Sequence, residues 1–299
     1  MILKNRNFDK NESNRGMIFV RGKTMSEEKN CTHDCSSCSS ACEKKNVKVS
    51  LRAGSSVRKV VAVVSGKGGV GKSLVTSLLA AKMTQRGFKT AILDADITGP
   101  SIPTSFGVGE ERAGADESGA IFPVKTKSGI QILSMNVLLP HNSDPVLWRG
   151  SLISGTVLQF WRDAIWKDVD YMFVDMPPGT GDVPLTAFQS LPIDGIIVVS
   201  CPQQLVRVIV EKAVKMAEMM KVPILGLVEN MSFVRCPDCG KEIHLYGKSN
   251  IDKIAQDYGL PLLSRIPISE QLSRAVDEGE IESVESPFLD AAADSLSLL

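Results

Sequence analysis

Gly66-Lys67-Gly68-Gly69-Val70-Gly71-Lys72-Ser73 matches the phosphate-loop pattern G-x-x-x-x-G-K-[ST], with an additional lysine, Lys67, inside the loop. The run before it, Lys59 to Ser65, is apolar and β-branched and reads as a buried parallel strand. The run after it, Leu74 to Arg86, reads as a helix. Strand, glycine loop and helix in that order are the context the motif requires. The glycines let the backbone wrap a polyphosphate, so that N–H groups and the helix N-terminus face the anion. Gly66, Lys67, Gly68, Gly69, Val70, Gly71, Lys72 and Ser73 are therefore expected to contact ATP. Lys72 would reach the β- and γ-phosphates, and the Ser73 hydroxyl would hold Mg²⁺.

Beyond the loop, apolar strand-like runs alternate with helical ones. Strands are expected at 60–64, 89–94, 130–134, 171–175, 195–200, 223–228 and 262–266. Helices are expected near 72–86, 151–165, 183–190, 205–220, 250–258, 269–277 and 287–298. Gly109 to Ala120 reads as a surface loop or hairpin tip. Met216, Met219 and Met220 read as core filler. The alternation predicts an α/β fold: a P-loop NTPase with a mostly parallel sheet flanked by helices on both faces. A short Cys-rich N-terminal extension precedes it. The expected organisation is a disordered tail over 1–30, a Cys-rich metal or cluster segment over 31–45, a linker over 46–57 and a P-loop ATPase domain over 58–299. That domain would carry a CPxC insertion near 229–250.

At 299 residues and 43% hydrophobic composition the chain can bury a large core. The formal net charge is zero, so the overall balance points neither to nucleic acid nor to an anionic membrane surface. No apolar run reaches membrane-spanning length, and Met1 to Lys23 lacks the apolar stretch of a signal peptide. The expected location is cytoplasmic.

Two carboxylate clusters end strands. One is Asp94-Ala95-Asp96, and the other is Asp175 in the run Asp175-Met176-Pro177-Pro178-Gly179-Thr180-Gly181-Asp182. Ligands of open parallel sheets bind beside strand C-termini, where an acid can hold Mg²⁺ or orient water. Asp175 is assigned to the magnesium shell, Asp96 to water positioning and Asp94 to bracing the site. Helix capping or turn formation is the ordinary alternative use of such Asp residues. Lys67 could reach a nucleotide held by a facing subunit, as an arginine finger does. Spacing alone favours a solvated lysine on a loop.

Seven cysteines, an odd number, argue against a disulfide framework in a chain without export signals. Cys236-Pro237-Asp238-Cys239 places two sulfurs on one metal but supplies only half of a closed zinc or iron–sulfur site. His244 stands at a zinc-knuckle offset, but the last knuckle position is Ser249, which cannot serve. The economical solution is a homodimer in which two copies donate four thiolates to one ion or cluster. A redox disulfide or a turn-stabilising CxxC is the alternative. Cys31, Cys35, Cys38 and Cys42 supply four thiolates from one segment, suited to a [4Fe–4S] cluster or to zinc. Cys201 reads as a buried structural thiol.

The two-lysine loop, Asp94-Ala95-Asp96 and the Asp175–Asp182 run together resemble the MinD-like branch of P-loop ATPases, which includes the nitrogenase iron protein. Pro145-Val-Leu-Trp148-Arg149-Gly150, Glu229-Asn230-Met231 and Cys236-Pro-Asp-Cys239 narrow the resemblance. Over residues 57 to about 280 the chain resembles the Mrp family of iron–sulfur cluster carrier ATPases, called ApbC-like in bacteria. The resemblance implies a homodimer that binds and hydrolyses ATP. It implies a bridging [4Fe–4S] cluster on Cys236 and Cys239, passed to apo iron–sulfur proteins. It also implies that Lys67 acts across the dimer and that Asn230 contacts the adenine. Some relatives carry a four-cysteine N-terminal motif, with wider spacing than residues 31–42.

Other readings compete. A zinc-stabilised MinD-like regulatory ATPase would use the same phosphate loop. A nitrogenase-iron-protein-like reductase would require an electron acceptor. A membrane-positioning ATPase would use a basic amphipathic C-terminal helix, whereas Glu285 to Leu299 carries two Asp and no Lys or Arg.

Overall fold

A computed structural model of the chain describes residues 48–299 except 98, 100, 140, 142–149 and 203–205. The tail over 1–30, the Cys-rich segment with Cys31, Cys35, Cys38 and Cys42, and Pro145 to Arg149 lie outside the described residues.

The first half of the described chain runs β1 (Val57–Ser65), α1 (Lys72–Gln85), β2 (Thr90–Asp94), α2 (Ile102–Ser105), β3 (Gly114–Ala115), β4 (Ile121–Phe122), β5 (Val124–Lys125), β6 (Gln131–Leu133), α3 (Gly150–Arg162) and β7 (Val169–Asp175). There follow α4 (Asp182–Ser190), β8 (Gly195–Ser200), α5 (Val206–Met220), β9 (Ile224–Glu229), β10 (Val234–Arg235), β11 (Glu242–Ile243), α6 (Ile251–Asp257), β12 (Leu262–Arg265), α7 (Glu270–Asp277) and α8 (Asp290–Ser297). Eight strands form one sheet in the order β12-β9-β8-β1-β7-β2-β6-β5. All its pairings are parallel except β5 with β6 at one edge. The expected P-loop α/β architecture is therefore present.

The central strands are buried on both faces, which explains their continuous apolar runs. Every residue of β2 and β8 is buried, as is β1 from Val60 onward. Helices cover the sheet, and the bulkiest enclosed side chains include Trp161, Trp166, Phe160, Phe173 and Phe188. Both enclosed indoles have acceptors: Trp161 Nε1 donates to the Val49 carbonyl at 2.7 Å and Trp166 Nε1 to that of Phe160 at 3.1 Å.

Several expectations need correction. Residues 48–56, read as linker, are docked on the domain. The Val49 amide donates to the Ser190 carbonyl at 2.8 Å, and Val49 and Leu51 pack against the core. Met216 and Met220 do pack against the core, but Met219 is 77% exposed, because it lies on the outer face of α5. The Gly109–Ala120 stretch forms the β3–β4 hairpin, as expected. Cys201 is buried, also as expected.

The C-terminal helix is committed to the fold. Ala292, Ala293 and Leu296 of α8 are buried, and the Leu296 carbonyl accepts from the Tyr171 hydroxyl at 3.1 Å. Asp290 and Asp294 pair with Lys82 of α1 and with Arg86, which caps it. An amphipathic helix that already buries its apolar face has little left to offer a lipid surface. No helix among the described residues is long and apolar enough to cross a membrane.

Candidate nucleotide site and cysteine hairpin

The phosphate loop leaves the C-terminal end of β1, at the middle of the sheet. Gly69 and Gly71 hold φ of 75° and 77°, a left-handed conformation that strains other residues. Gly71 is also hemmed in: a Cβ there would lie 2.1 Å from Asn230 Nδ2. Gly71 caps α1 with no side-chain hydrogen bond, and the first turn holds no acidic residue. The positive end of a 14-residue helix thus carries no acidic residue of its own. It faces a cavity of about 330 Å³ lined by Lys67 to Leu74, Ser65, Asp96, Gly99, Ser101, Ser105, Pro178 and Val276.

Sheet register assembles the carboxylates. Asp94 of β2 lies opposite Asp175 of β7, and Asp175 lies opposite Val63 of β1. Asp175 is fully buried and accepts from Ser73 Oγ at 2.5 Å and from Thr76 Oγ1 at 2.8 Å. Lys72 Nζ stands 2.8 Å from Asp175 Oδ1 and 3.8 Å from Asp96 Oδ2. It is buried, yet it makes no aligned hydrogen bond to any described group. A buried ammonium with charge neutralisation but unused donors fits a polyphosphate oxygen. The neighbouring hydroxyl of Ser73 and carboxylate of Asp175 are hard oxygen donors of the kind Mg²⁺ takes beside phosphates.

Thr76 escaped the sequence reading. It follows Lys72 by four positions on the same helical face, and that spacing was the available signal. Asp94 is tied to its neighbours through both carboxylate oxygens. Its Oδ1 accepts the Asp96 amide at 3.1 Å and its Oδ2 accepts from Ser134 Oγ at 2.9 Å. Burial, reinforced by the Asp175 charge, pushes the Asp94 carboxyl up to about 8.

That shift sets a pH dependence. An unfolded aspartate titrates near 3.9. Between about 4 and about 8 the folded chain holds a proton at Asp94 that the unfolded chain has released. The nucleotide-free protein is therefore expected to lose stability as pH rises through this window. Asp94→Asn keeps an acceptor for Asp96 and a donor for Ser134, so its melting temperature should vary less with pH than that of the wild type. An unchanged pH slope in thermal denaturation would contradict the assignment.

Asn230 sits beyond β9, buried against the loop, and donates Nδ2 to the Val70 carbonyl at 2.9 Å. Lys67 lines the cavity mouth, and its carbonyl accepts from Ser65 Oγ at 3.0 Å.

Cys236 and Cys239 are not in the phosphate cavity. They occupy the turn of the β10–β11 hairpin, which follows β9. The turn is closed by the Cys236 amide donating to the Lys241 carbonyl and the Gly240 amide donating to the Cys236 carbonyl, each at 2.9 Å. Both thiols are free, Cys239 exposed and Cys236 partly so. The backbone amides of Cys239 and Asp238, with the Cys239 thiol, donate to the Cys236 sulfur and hold its thiol below the ordinary cysteine range. Such a turn is preorganised for a thiolate ligand. Among the described residues no group of three or more His, Cys, Asp and Glu gathers as a metal site. His244, at the knuckle offset, instead stacks edge-on against Phe233, with Nδ1 3.4 Å from the Ser232 carbonyl.

A parallel sheet, a glycine loop at a helix N-terminus and a buried lysine among strand-end carboxylates define the molecule as a P-loop NTPase. The chain belongs to the ParA-type family described as NUBPL iron-transfer P-loop NTPases, whose model matches residues 56–297. An iron–sulfur cluster carrier protein from Clostridium perfringens is 44% identical over 232 residues, spanning 76% of this chain and 81% of the relative. Another of that description, from Methanocaldococcus jannaschii, is 44% identical over 226 residues, spanning 75% of this chain and 78% of the relative. Among solved structures, a nucleotide-binding protein from Archaeoglobus fulgidus in complex with ADP superposes with a TM-score of 0.70 at 39% identity, covering 78% of this chain and 91% of that one. The MinC:MinD cell division complex of Aquifex aeolicus matches with a TM-score of 0.57 at 19% identity, covering 80% of this chain and 94% of that one, a likeness of fold alone.

Proposed function

We propose that this chain is an ATP-hydrolysing carrier that binds an iron–sulfur cluster on Cys236 and Cys239 and passes it to apo-proteins. The observation that carries the reading is the exposed Cys236–Cys239 turn, with amides aimed at one sulfur, set in the same domain as a complete phosphate loop. The family and the carrier relatives support it.

In this reading Lys72 and the loop amides hold the β- and γ-phosphates of ATP. Mg²⁺ on Ser73, close to Asp175, would neutralise charge developing on the leaving phosphate. Asp96 orients the attacking water. Lys67 of one subunit reaches the phosphates held by its partner, which makes hydrolysis depend on dimerisation. A contact from Asn230 to adenine would use its amide oxygen, since Nδ2 is donated to Val70.

Each subunit supplies two thiolates, and a [4Fe–4S] cargo takes four, so one cluster bridges a homodimer. Acceptor cysteines displace Cys236 and Cys239 by thiolate exchange, with no change of redox state. The site of action is the cytoplasm, whose reducing poise keeps such thiols free. Cys31, Cys35, Cys38 and Cys42 are assigned a second cluster or zinc.

Anaerobic reconstitution of the full chain with iron and sulfide tests the reading, by metal content and by mass in solution. The expected result is a dimer with ~4 iron atoms at the bridging site, plus N-terminal iron that disappears when residues 1–45 are removed. A protein that takes up zinc alone would favour the regulatory ATPase instead.

A further inference from the structure

The end of β9 touches both halves of the molecule's chemistry. Glu229, its last residue, is fully buried, and its carboxylate holds the two ends of the segment that carries the cysteines. Oε2 accepts from Ser232 Oγ at 2.5 Å, just before the β10–β11 hairpin. Oε1 accepts from Ser249 Oγ, in the stretch between β11 and α6. Arg265 of the neighbouring strand stands 3.7 Å from the same carboxylate and ties it to β12. The next residue, Asn230, grips the phosphate loop through the Val70 carbonyl and packs so closely on Gly71 that no Cβ would fit between them. Met231, which follows, holds φ of 56°, a left-handed conformation uncommon for a residue with a side chain.

These contacts leave no slack. Asn230 is held on its other side by its own amide, donated to the Ser200 carbonyl at 2.8 Å. A displacement of Val70 or Gly71 would therefore bear on Asn230 and on the carboxylate one residue before it. That carboxylate holds both ends of the longer segment, Ser232 to Ser249, within which the thiols sit at the hairpin's turn.

We infer that Glu229 is a positioning residue for the cysteine pair, and that with Asn230 it links occupancy of the phosphate loop to the presentation of Cys236 and Cys239. This rests on the carrier reading for its purpose, but it concerns the thiols themselves and can be read without any cluster. Ser232 and Ser249 are the hairpin's two attachments to this link. Neither contacts the nucleotide cavity.

The test is the alkylation rate of Cys236 and Cys239, resolved by peptide mass spectrometry, in cluster-free full-length protein with and without a non-hydrolysable ATP analogue and Mg²⁺. The wild type is expected to change its rate at least about threefold on binding nucleotide. Ser249→Ala should bring that ratio close to one while the nucleotide dissociation constant stays within about twofold. Ser249→Thr, which restores the hydroxyl, should recover the response; a merely structural loss of packing would not depend on the hydroxyl in this way. Glu229→Gln, which removes one of the two acceptors, should act like Ser249→Ala if it folds. A wild type with no nucleotide response, or a Ser249→Ala protein with the wild-type ratio, overturns the inference. Either outcome would leave intact a carrier that still reconstitutes and transfers a cluster.

Discussion

Lys72→Ala is expected to lower ATP hydrolysis by about a hundredfold or more, in line with the loss of one preorganised charge contact to a transferring phosphoryl group. The ammonium is enclosed and makes no aligned hydrogen bond to any described group, which leaves donors for a phosphate oxygen. The substitution also leaves Asp175 buried without its ion pair, and the nucleotide-free variant should be less stable by about 3 kcal/mol. Thermal denaturation must accordingly show a folded protein before the kinetics are read. Lys67→Ala should behave differently. It leaves the loop's own lysine in place, so nucleotide affinity should stay near the wild-type value while turnover falls. Equal loss of ATP affinity in the two variants, measured by calorimetry, would remove the cross-dimer role assigned to Lys67.

Cys236→Ala and Cys239→Ala should each abolish the bridging cluster and its delivery. A dimer would then offer two thiolates instead of four, and a cubane held on half its ligands does not persist. The thiols are at a hairpin turn and outside the phosphate cavity, so nucleotide binding should survive. The same exposure that permits an acceptor to reach the sulfurs should make the cluster sensitive to oxygen. A double Cys236/Cys239 variant that activates an apo-protein at the wild-type rate would end the carrier mechanism drawn here.

Most elements were legible because both-face burial writes long β-branched runs into the central strands, as in β1 and β8. The short pieces were not. Strands β10 and β11 are two residues each, below the length at which any period is visible, so the cysteine motif read as an irregular insertion and not as a hairpin. Residues 48–56 are polar enough to read as linker, and it is their tertiary contacts, those of Val49 and Leu51 among them, that reveal that they dock.

The sequence by itself determined the phosphate loop, the alternation of strands and helices, and the two-thiolate motif. Each of these is a local pattern whose chemistry lies within a few consecutive residues. Strand order and register decided the rest. They bury Asp94 and set it beside Asp175 across β2 and β7, and burial first, then the Asp175 charge, raises the Asp94 pKa. They brought Asn230 onto Val70 across 160 residues of chain. They let Glu229 fasten Ser232 and Ser249, the two ends of the segment that carries the cysteine hairpin. A one-dimensional pattern records which side chains are buried, but it does not record which buried side chains meet. That is fixed only when the strands choose neighbours.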